Sequence, residues 1–350
     1  MNAAEDVPTM QNGIRSLLES DYDSLLNRAY AVKTSLFGKR VALRGLVEFS
    51  NICGKNCLYC GIRRDSAGVV RYRMSEDEIV DTAAWAAENG YGSVVLQSGE
   101  LQGEENAAFV ERVLGRIHER FGDSFGVTLS LGEQPRETYL RWRDAGAHRY
   151  LLRIETSNPE LYAKLHPADH SWTARRDCLR ILRSLGYVVG TGVMIGLPGQ
   201  TTADLANDIR FFMDEGIDMV GMGPFISTPG TPLGAAEGVA DAQWRLELSL
   251  RMIAVARICL GNVNIAAATA LQAIDPEGRE KGILAGANVV MPNVTPRKYR
   301  EGYVLYPGKP CTGENSEECR GCLARRIASI GEEIAWGERA DPPHFKDRVA

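Results

Sequence analysis

Short apolar runs alternate with amphipathic segments along most of the chain. The runs contain few charged residues, a pattern typical of strands that are buried on both faces of a parallel sheet. Many of them end in glycine, proline, serine or an acidic residue, which favours a turn directly after the strand. Eight such runs are predicted as strands: residues 41–50, 93–97, 126–131, 149–154, 188–195, 218–225, 263–268 and 288–291.

The segments between these runs carry apolar residues at helical spacing. After the first run, Ser75 and Glu78 form a capping box for a helix that reaches residue 89 and ends at Gly90. Residues 10–36 have the same periodicity, and we expect these helices to cap the bottom of the strand layer. The other predicted helices are 107–121, 136–145, 175–185, 202–215 and 242–260.

Eight successive strand–helix units predict an α/β fold, a (β/α)8 TIM barrel with N-terminal helices and a C-terminal extension. In such a barrel the active site lies at the C-terminal ends of the strands. An open doubly wound sheet is the alternative, but no Gly-x-Gly-x-x-Gly turn follows the first strand. The predicted domains are an N-terminal helical cap (1–36), the barrel (37–304) and an extension (305–350).

Composition and charge exclude several classes of partner. The chain has 350 residues and a formal net charge of -5, which predicts no basic surface for nucleic acid. No apolar run approaches the roughly 20 residues of a membrane span, and the N-terminal residues lack the pattern of a signal peptide. We therefore expect a cytoplasmic protein, in which clustered cysteines bind metal rather than form disulfides.

Three cysteines follow the first predicted strand at C-x3-C-x2-C spacing: Cys53, Cys57 and Cys60. A short loop with this spacing can place three thiolates on one face of a cubane iron–sulfur cluster and leave one iron without a protein ligand. A structural zinc site is the alternative, but it needs a fourth ligand, and the next histidine in the sequence is His118. The spacing therefore favours the cluster.

The spacing, with the aromatic Tyr59 before the last cysteine, resembles the signature of the radical S-adenosylmethionine (radical SAM) superfamily. The resemblance implies that SAM chelates the open iron through its amino and carboxylate groups. Acidic residues at strand ends and Arg175 at a helix start can supply the further contacts that a zwitterionic sulfonium needs. Arg153 and Glu155 share one face by period two, so they either bind a ligand or form a structural ion pair. Glu133 has a simpler alternative as a helix cap.

Several longer stretches extend the resemblance to the HydE family of FeFe-hydrogenase maturases, over roughly residues 40 to 325. Two positions depart from the family pattern and imply altered substrate contacts: Ile154 replaces a histidine, and Ala268 replaces a threonine. The stretches are Val-Glu-Phe-Ser-Asn-x-Cys, Arg-Tyr-Arg-Met, Val-Leu-Gln-Ser-Gly-Glu, Val-Thr-Leu-Ser-Leu-Gly-Glu, Arg-Tyr-Leu-Leu-Arg-x-Glu-Thr, Gly-Leu-Pro-Gly-Gln-Thr, Met-Val-Gly-x-Gly-Pro-Phe, Gly-Ala-Asn-Val-x-Met-Pro-Asn and Leu-Tyr-Pro-Gly-Lys-x-Cys.

The family resemblance implies roles for individual residues. Glu100 receives the SAM ammonium, and Glu155 and Arg175 contact its ribose and carboxylate. Arg153, Tyr303 and Tyr306 are the implied catalytic residues. The implied cofactor contacts are Tyr59, Ser98, Gly99, Glu100, Glu155 and Arg175. The implied substrate contacts are Gln97, Thr128, Arg153, Thr269, Met291, Tyr303 and Tyr306.

A second group of cysteines, Cys311, Cys319 and Cys322, has C-x7-C-x2-C spacing. The family resemblance implies an accessory cluster here, either 2Fe–2S or 4Fe–4S, outside the barrel. The alternative is a zinc site with His344 as its fourth ligand. The two remaining cysteines, Cys178 and Cys259, lie in helical patterns and are predicted to be buried.

The implied activity is reductive cleavage of SAM to methionine and a 5′-deoxyadenosyl radical. By resemblance the radical acts on a small organometallic or amino-acid-derived substrate during assembly of the di-iron subcluster of the hydrogenase H-cluster. An electron donor and other hydrogenase maturases are the implied partners. Methylornithine synthase is an alternative within the same clade, whereas biotin synthase needs strand cysteines that are not found here. A non-enzymatic iron–sulfur carrier or scaffold is the alternative from another class.

Overall fold

The computed structural model describes residues 7–349 as a layer of parallel strands surrounded by helices. The strands are β1 (Arg40–Leu43), β2 (Gly45–Ser50), β3 (Ser93–Ser98), β4 (Gly126–Ser130), β5 (Arg149–Leu151), β6 (Val188–Thr191), β7 (Met194–Ile195), β8 (Met219–Pro224), β9 (Asn264–Ala267), β10 (Val289–Val290) and β11 (Glu333–Ile334). The helices are α1 (Val7–Leu18), α2 (Tyr22–Phe37), α3 (Glu76–Glu88), α4 (Glu104–Phe121), α5 (Arg136–Asp144), α6 (Pro159–Leu165), α7 (Trp172–Ser184), α8 (Thr202–Asp214), α9 (Ala242–Leu260), α10 (Thr269–Ile274), α11 (Gly278–Leu284), α12 (Arg297–Arg300), α13 (Ser316–Ser329) and α14 (Pro343–Val349).

The strands close into a ring. β1 and β2 are separated only by Arg44, so they act as two halves of one bent strand. β2 pairs with β3 on one side, and β1 pairs with β10 on the other. The other neighbours follow in the order β3, β4, β5, β6, β8, β9, β10, and the pairs are parallel. The predicted (β/α)8 barrel is confirmed, and the open doubly wound alternative is wrong.

Three element boundaries differ from the predictions for local reasons. The run 188–195 is interrupted at Gly192, where a Cβ atom would lie 1.8 Å from the carbonyl oxygen of Gly221. The run 149–154 stops at Leu151, and Glu155 adopts a φ of 66°, outside the strand region. The run 263–268 forms β9 only as far as Ala267, and helix α10 begins two residues later at Thr269.

The segments outside the barrel have their own positions. Helices α1 and α2 pack against the outer helices α8 and α9 rather than across the barrel bottom, and residues 1–6 of the predicted cap lie outside the described residues. The chain after β11 lies across the N-terminal ends of the strands instead. There Asp341 accepts hydrogen bonds from Arg149, and the carbonyl of Ala340 accepts one from Asn264. Within residues 7–349, the helices are too short or too polar for a membrane span.

Candidate functional site

The three cysteines Cys53, Cys57 and Cys60 lie in the loop that leaves β2 at the C-terminal end of the barrel. Backbone contacts hold this loop against the loop after β3. The amide of Gly54 donates to the carbonyl of Glu100 at 2.7 Å, and the Glu100 amide donates to Cys53 Sγ at 3.3 Å. Gly99 is required at this crossing, because a Cβ atom there would lie 2.3 Å from the carbonyl oxygen of Ile52.

Arg71 fixes the shape of the cysteine loop from the far side. Its Nη1 atom donates to the carbonyls of Asn51 and Ile62, at 2.6 and 2.8 Å. Its Nη2 atom donates to the carbonyl of Arg63 at 2.6 Å and to that of Arg64 at 3.2 Å. One guanidinium therefore ties together the two ends of the loop that carries all three cysteines.

The three thiols are in an environment that disfavours the free thiolate. Burial raises the pKa of Cys53, and it raises the pKa of Cys57 to about 12. Burial, and then the nearby Cys57, also raise the pKa of Cys60. Three thiolates on one buried loop need a cation to neutralise them, so this donor set fits a metal centre.

Four charged side chains of alternating sign lie beside the cysteine loop and form what we call the charged quartet: Lys55, Glu100, Glu133 and Arg175. Lys55 Nζ lies 2.8 Å from Glu133 Oε2 and 3.4 Å from Glu100 Oε1. Arg175 Nη1 donates to Glu133 Oε1 at 2.9 Å and to Glu100 Oε2 at 3.2 Å. Burial alone would raise the pKa of Glu133, but Arg175 and Lys55 hold it below its usual value. The helix-cap alternative for Glu133 is therefore wrong.

One carboxylate oxygen of Glu100 is left without a hydrogen bond in the part of the chain that the structure describes. Its Oε1 atom is buried and receives no hydrogen bond within residues 7–349, although the Lys55 ammonium lies 3.4 Å away. A buried carboxylate oxygen without a donor is costly, so this atom favours a ligand that carries an N–H group. Gly132 leaves the space that the carboxylate occupies, because a Cβ atom there would lie 2.0 Å from Glu100 Cγ.

Arg153 and Glu155 form the ion pair that was one of the two predicted interpretations. Arg153 Nε lies 3.0 and 3.1 Å from the two carboxylate oxygens of Glu155. The remaining nitrogens donate to the carbonyls of Gly221 and Val193, at 2.7 and 2.9 Å. Both side chains are thus hydrogen-bonded to protein atoms.

Tyr59 packs on an aromatic wall that the sequence pattern did not indicate. Its ring meets the ring of His166 edge-on, with the centroids 5.6 Å apart. His170 lies beside His166, and its Nε2 atom accepts the backbone N–H of Asn56 at 3.0 Å. Both histidines are close to the cysteine loop in space although they are distant in sequence.

The residues predicted for the substrate end fall into two levels of the barrel. Thr128 and Met291 line an interior cavity together with Arg44, which is 4% exposed. Above it, Gln97 Nε2 donates to the hydroxyl of Tyr303 at 3.1 Å.

Three other residues predicted to contact the cofactor or the substrate are Tyr306, Ser98 and Thr269. Burial, and then the charge of Glu48, raise the pKa of Tyr306, while the charges of Arg279 and Arg153 oppose the rise. Ser98 donates to the carbonyl of Gly99 at 2.6 Å. Thr269 lies at the start of α10, beyond the seventh strand.

A segment from the C-terminal part of the chain covers the barrel mouth, and we call residues 303–309 the mouth segment. Its carbonyl at Leu305 accepts the amide of Gly61, next to the last cysteine of the loop, at 2.9 Å. Its last residue, Lys309, reaches into the barrel and lies 2.5 Å from Glu48 Oε1. The mouth segment thus contacts the cysteine loop and the strand that precedes it.

The second cysteine group is only partly assembled. Ligand atoms of Cys311, Glu314 and Cys319 lie within 4.8 Å of one another, whereas Cys322 is not part of this set. The neighbouring Cys319 thiol lowers the pKa of Cys311 below its usual value, and Arg279 Nη2 lies 3.6 Å from the Cys311 sulfur.

The histidine proposed for a zinc site lies elsewhere. His344 contacts Asp218 at 2.8 Å, at the start of β8 and at the opposite end of the barrel. The zinc alternative with His344 as the fourth ligand is therefore wrong. This leaves the chemistry of the second cysteine group to its own residues and to Glu314.

Two loop cations of this site were not assigned a role from the sequence. Lys55 carries no signal until the fold brings its partners together, and Arg71 was noted only as part of the stretch Arg-Tyr-Arg-Met. Glu48 and Lys309 did carry a signal, because a single acidic residue interrupts an apolar strand and a lysine lies in a stretch shared with the HydE family. A charged residue at a lumen-facing strand position needs a partner, and that requirement predicts a distant cation for Glu48.

Comparison with known proteins identifies the family. The model of the Radical SAM superfamily matches residues 47–212. The chain is 46% identical over 320 residues to the FeFe hydrogenase maturase subunit HydE of Thermotoga maritima, covering 91% of this chain and 89% of that protein. It is 30% identical over 301 residues to 3-methylornithine synthase of Methanosarcina barkeri, covering 84% and 82%.

The solved structures agree on the fold. The crystal structure of a methylornithine synthase superposes with a TM-score of 0.77 at 24% identity, over 93% of this chain and 94% of the other. At 24% identity this likeness shows the fold alone, whereas the higher sequence identity, 46% to HydE against 30% to the synthase, separates the two families. The chain is a radical SAM enzyme and belongs to the HydE family of FeFe hydrogenase maturases.

Proposed function

We propose that this chain cleaves SAM reductively and acts in the assembly of the FeFe-hydrogenase H-cluster. In this proposal Cys53, Cys57 and Cys60 bind a 4Fe–4S cluster whose fourth iron is left to SAM. Family membership supports the proposal, and so does the position of three buried thiols on one loop beside the charged quartet. The observation that carries it is the buried Oε1 atom of Glu100, which accepts no hydrogen bond within the described residues although the Lys55 ammonium lies 3.4 Å away.

The charged quartet matches the polar groups of SAM. Glu100 accepts the ammonium, because Oε1 is available and the carboxylate is held from two sides. Arg175 binds the carboxylate of SAM, and Glu155 receives the ribose. Tyr59 lines the site beside the cluster, next to Ser98 and Gly99. These assignments give each polar group of the ligand a partner of opposite charge or hydrogen-bonding type.

The protein contributes confinement and orientation. When bound, the reduced cluster and SAM supply a 5′-deoxyadenosyl radical. The closed barrel and the mouth segment exclude water from the space above Thr128 and Met291. Arg153, Tyr303 and Tyr306 stand at the upper level of this space, and Gln97 sets the direction of the Tyr303 hydroxyl.

The substrate and partners follow from the family. The relative from Thermotoga maritima is named as a hydrogenase maturase subunit, and we infer a small organometallic or amino-acid-derived substrate en route to the di-iron subcluster. An electron donor and the other hydrogenase maturases are the proposed partners. Cys311, Cys319 and Cys322 are proposed to bind an accessory cluster, with Glu314 nearby. The eight free cysteines favour a reducing compartment such as the cytoplasm.

The first experiment measures SAM cleavage. Anaerobically reconstituted protein, reduced with dithionite, is expected to form 5′-deoxyadenosine and methionine from SAM. Cys57→Ser should abolish the reaction, because it removes one of three cluster ligands, whereas Cys259→Ser, in helix α9, is the matched control. A wild-type protein with a full cluster and no cleavage would refute the proposal.

The second experiment tests the biological role. Extracts that lack this protein but contain the other maturases should fail to activate apo-hydrogenase until the purified chain is added. A carrier or scaffold would supply iron without the SAM site, so Glu100→Gln distinguishes the two hypotheses. Full activation by Glu100→Gln favours the carrier, and activation without any added chain contradicts the maturase role.

A further inference from the structure

A fully enclosed ion pair lies inside the mouth of the barrel. Glu48 is on β2, faces the lumen and is 1% exposed, and the side chain of Lys309 is 7% exposed. The ammonium lies 2.5 Å from Glu48 Oε1 and donates to the carbonyl of Tyr303 at 2.8 Å. Asn293 donates to the second carboxylate oxygen at 2.9 Å. The pair is therefore built into a network and is separate from the charged quartet.

Burying the charges of Glu48 and Lys309 costs free energy of desolvation, so the presence of this pair needs an explanation. Burial raises the pKa of Glu48, and the charge of Lys309 is the largest effect that opposes the rise. Desolvating two charges often consumes what their attraction returns, so an apolar pair of the same size would serve stability equally well. What the ion pair provides is specificity, because the buried Glu48 carboxylate accepts only a segment that brings a cation to it.

The segment that the pair directs is the mouth segment. Gln97 and Glu48 are register partners on neighbouring strands, and both bind this segment. Gln97 holds the Tyr303 hydroxyl at its beginning, and Glu48 holds Lys309 at its end. The Gly61 amide binds the carbonyl of Leu305 between them. Tyr303 and Tyr306 are thus carried by a segment that is fixed at three points.

We propose that the Glu48–Lys309 pair is a positioning device for the substrate end of the barrel. It seats the mouth segment so that the hydroxyl groups of Tyr303 and Tyr306 face the substrate, and it takes no part in binding or cleaving SAM. This inference rests on the proposed function. It assigns Lys309 and Glu48 as positioning residues, since both act through the tyrosines.

The pair makes a characteristic prediction for single and double substitutions. Lys309→Met leaves the Glu48 carboxylate buried without its cation, and Glu48→Gln leaves the Lys309 ammonium without its anion. Either change drives the mouth segment away from the lumen, because an unpaired buried charge moves toward water. Changing both residues removes both charges, so the segment can settle back while Gln at position 48 still accepts from Asn293.

The experiment compares wild type, Lys309→Met, Glu48→Gln and the double variant, with Lys298→Met as the matched control. Lys298 is ion-paired with Glu78, but its side chain is 65% exposed on the surface. Three quantities are measured on reconstituted protein: 5′-deoxyadenosine formed without added maturation partners, activation of apo-hydrogenase in extract, and amide hydrogen exchange of residues 303–309.

Both single variants should lower hydrogenase activation about tenfold or more, since small displacements of reacting groups cost at least this much. Their 5′-deoxyadenosine formation should stay within about twofold of wild type, because neither residue contacts the charged quartet and Arg71 holds the cysteine loop independently of the mouth segment. Exchange of the mouth segment should rise in both. The double variant should recover slow exchange and a substantial part of the activation, and Lys298→Met should match wild type throughout.

Two results overturn the inference. One is wild-type activation by either single variant. The other is a double variant that recovers slow exchange but no activation, because Lys309 would then act on the substrate directly. A wild-type protein that forms no 5′-deoxyadenosine refutes the proposed function instead, so the two failures are distinguishable.

Discussion

At the scale of single residues, the site depends on ion pairs between side chains that are distant in the sequence. Glu100, Glu133 and Arg175 were noted at strand ends and at a helix start, but nothing local in the sequence marks Lys55, which completes the quartet. Lys55 and Glu133 lie 78 residues apart in the sequence, so only the fold brings them together. Sequence reasoning could therefore find the groups that bind the ligand but not those that hold them.

The clearest residue-scale prediction concerns Glu100→Gln. The change keeps the shape of the side chain but removes the charge that we assign to the SAM ammonium. We expect SAM affinity to fall about 10- to 100-fold, the cost of one hydrogen bond to a charged group. Isothermal titration of the reconstituted protein measures this, with iron content as the check on the cluster.

Glu105→Gln is the control for that change, because its side chain is 96% exposed on the neighbouring helix. It should bind SAM as wild type does. If Glu100→Gln and Glu105→Gln bind SAM equally well, Glu100 does not receive the ammonium.

A second residue-scale prediction concerns Asp208, which lies in α8 and is fully buried. Burial raises its pKa to about 7, and its Oδ2 atom has no hydrogen bond within the described residues. Because the folded-state pKa is raised, its contribution to stability is complete below the unfolded pKa of 3.8 and is lost as the pH rises to about 7.

Asp208→Asn should remove this dependence while its amide oxygen still accepts from Ser157. Between pH 5 and 7, wild type should lose roughly 2–3 kcal/mol relative to the variant. Above about pH 7 the two should change in parallel. Urea unfolding at several pH values measures the difference, and parallel curves across the whole range would contradict the assignment.

At the scale of elements, the apolar runs located the strands well. The strand ends depend on contacts with neighbouring strands, which the runs themselves do not reveal. The run 188–195 breaks at Gly192 because a carbonyl of a neighbouring strand approaches too closely for a side chain. The short helix α6 was missed, since one or two turns give too little periodicity to recognise. Its N-cap Asn158 and the proline that follows were the available signal.

The element-scale prediction concerns the cysteine loop and Arg71. Arg71→Met should lower iron and sulfide uptake to well under half of wild type, because four carbonyl contacts between the loop ends are lost. SAM cleavage should fall in proportion to the cluster that is bound. Iron analysis and visible absorption of the reconstituted protein measure this.

Arg64→Met is the matched control for Arg71. Arg64 lies on the same loop and pairs with Asp65, but its side chain is 51% exposed. It should take up a full cluster. Equal cluster content in the two variants would show that Arg71 does not organise the loop.

At the scale of the whole molecule, the N-terminal helix α2 and the C-terminal extension contact each other outside the barrel. Lys33 in α2 and Glu332 before β11 form an ion pair in which both side chains are 0% exposed, and Tyr30 donates to the same carboxylate at 2.7 Å. The closed barrel was predictable because eight repeated units leave few alternatives. The path of the extension was not, because it follows polar contacts between residues some 300 positions apart.

Glu332→Gln tests this connection. Leaving Lys33 buried without its anion should lower the free energy of unfolding by about 3–5 kcal/mol. The double variant Lys33→Met with Glu332→Leu should lose less than half as much, since no charge is then left unpaired. Glu19→Gln, in an exposed pair with Arg15, should cost less than about 1 kcal/mol. Urea unfolding that ranks Glu332→Gln with Glu19→Gln would contradict the account.

The central claim is that three thiols of one loop and the charged quartet beside them form a single site for a cluster and SAM. Electron paramagnetic resonance of the reduced, reconstituted protein tests it most directly. The account predicts a 4Fe–4S signal that changes shape as SAM is added and saturates at about one SAM per cluster. Cys57→Ser should lack the signal, and Glu100→Gln should require more SAM to change it. A wild-type signal that excess SAM leaves unaltered would contradict the claim.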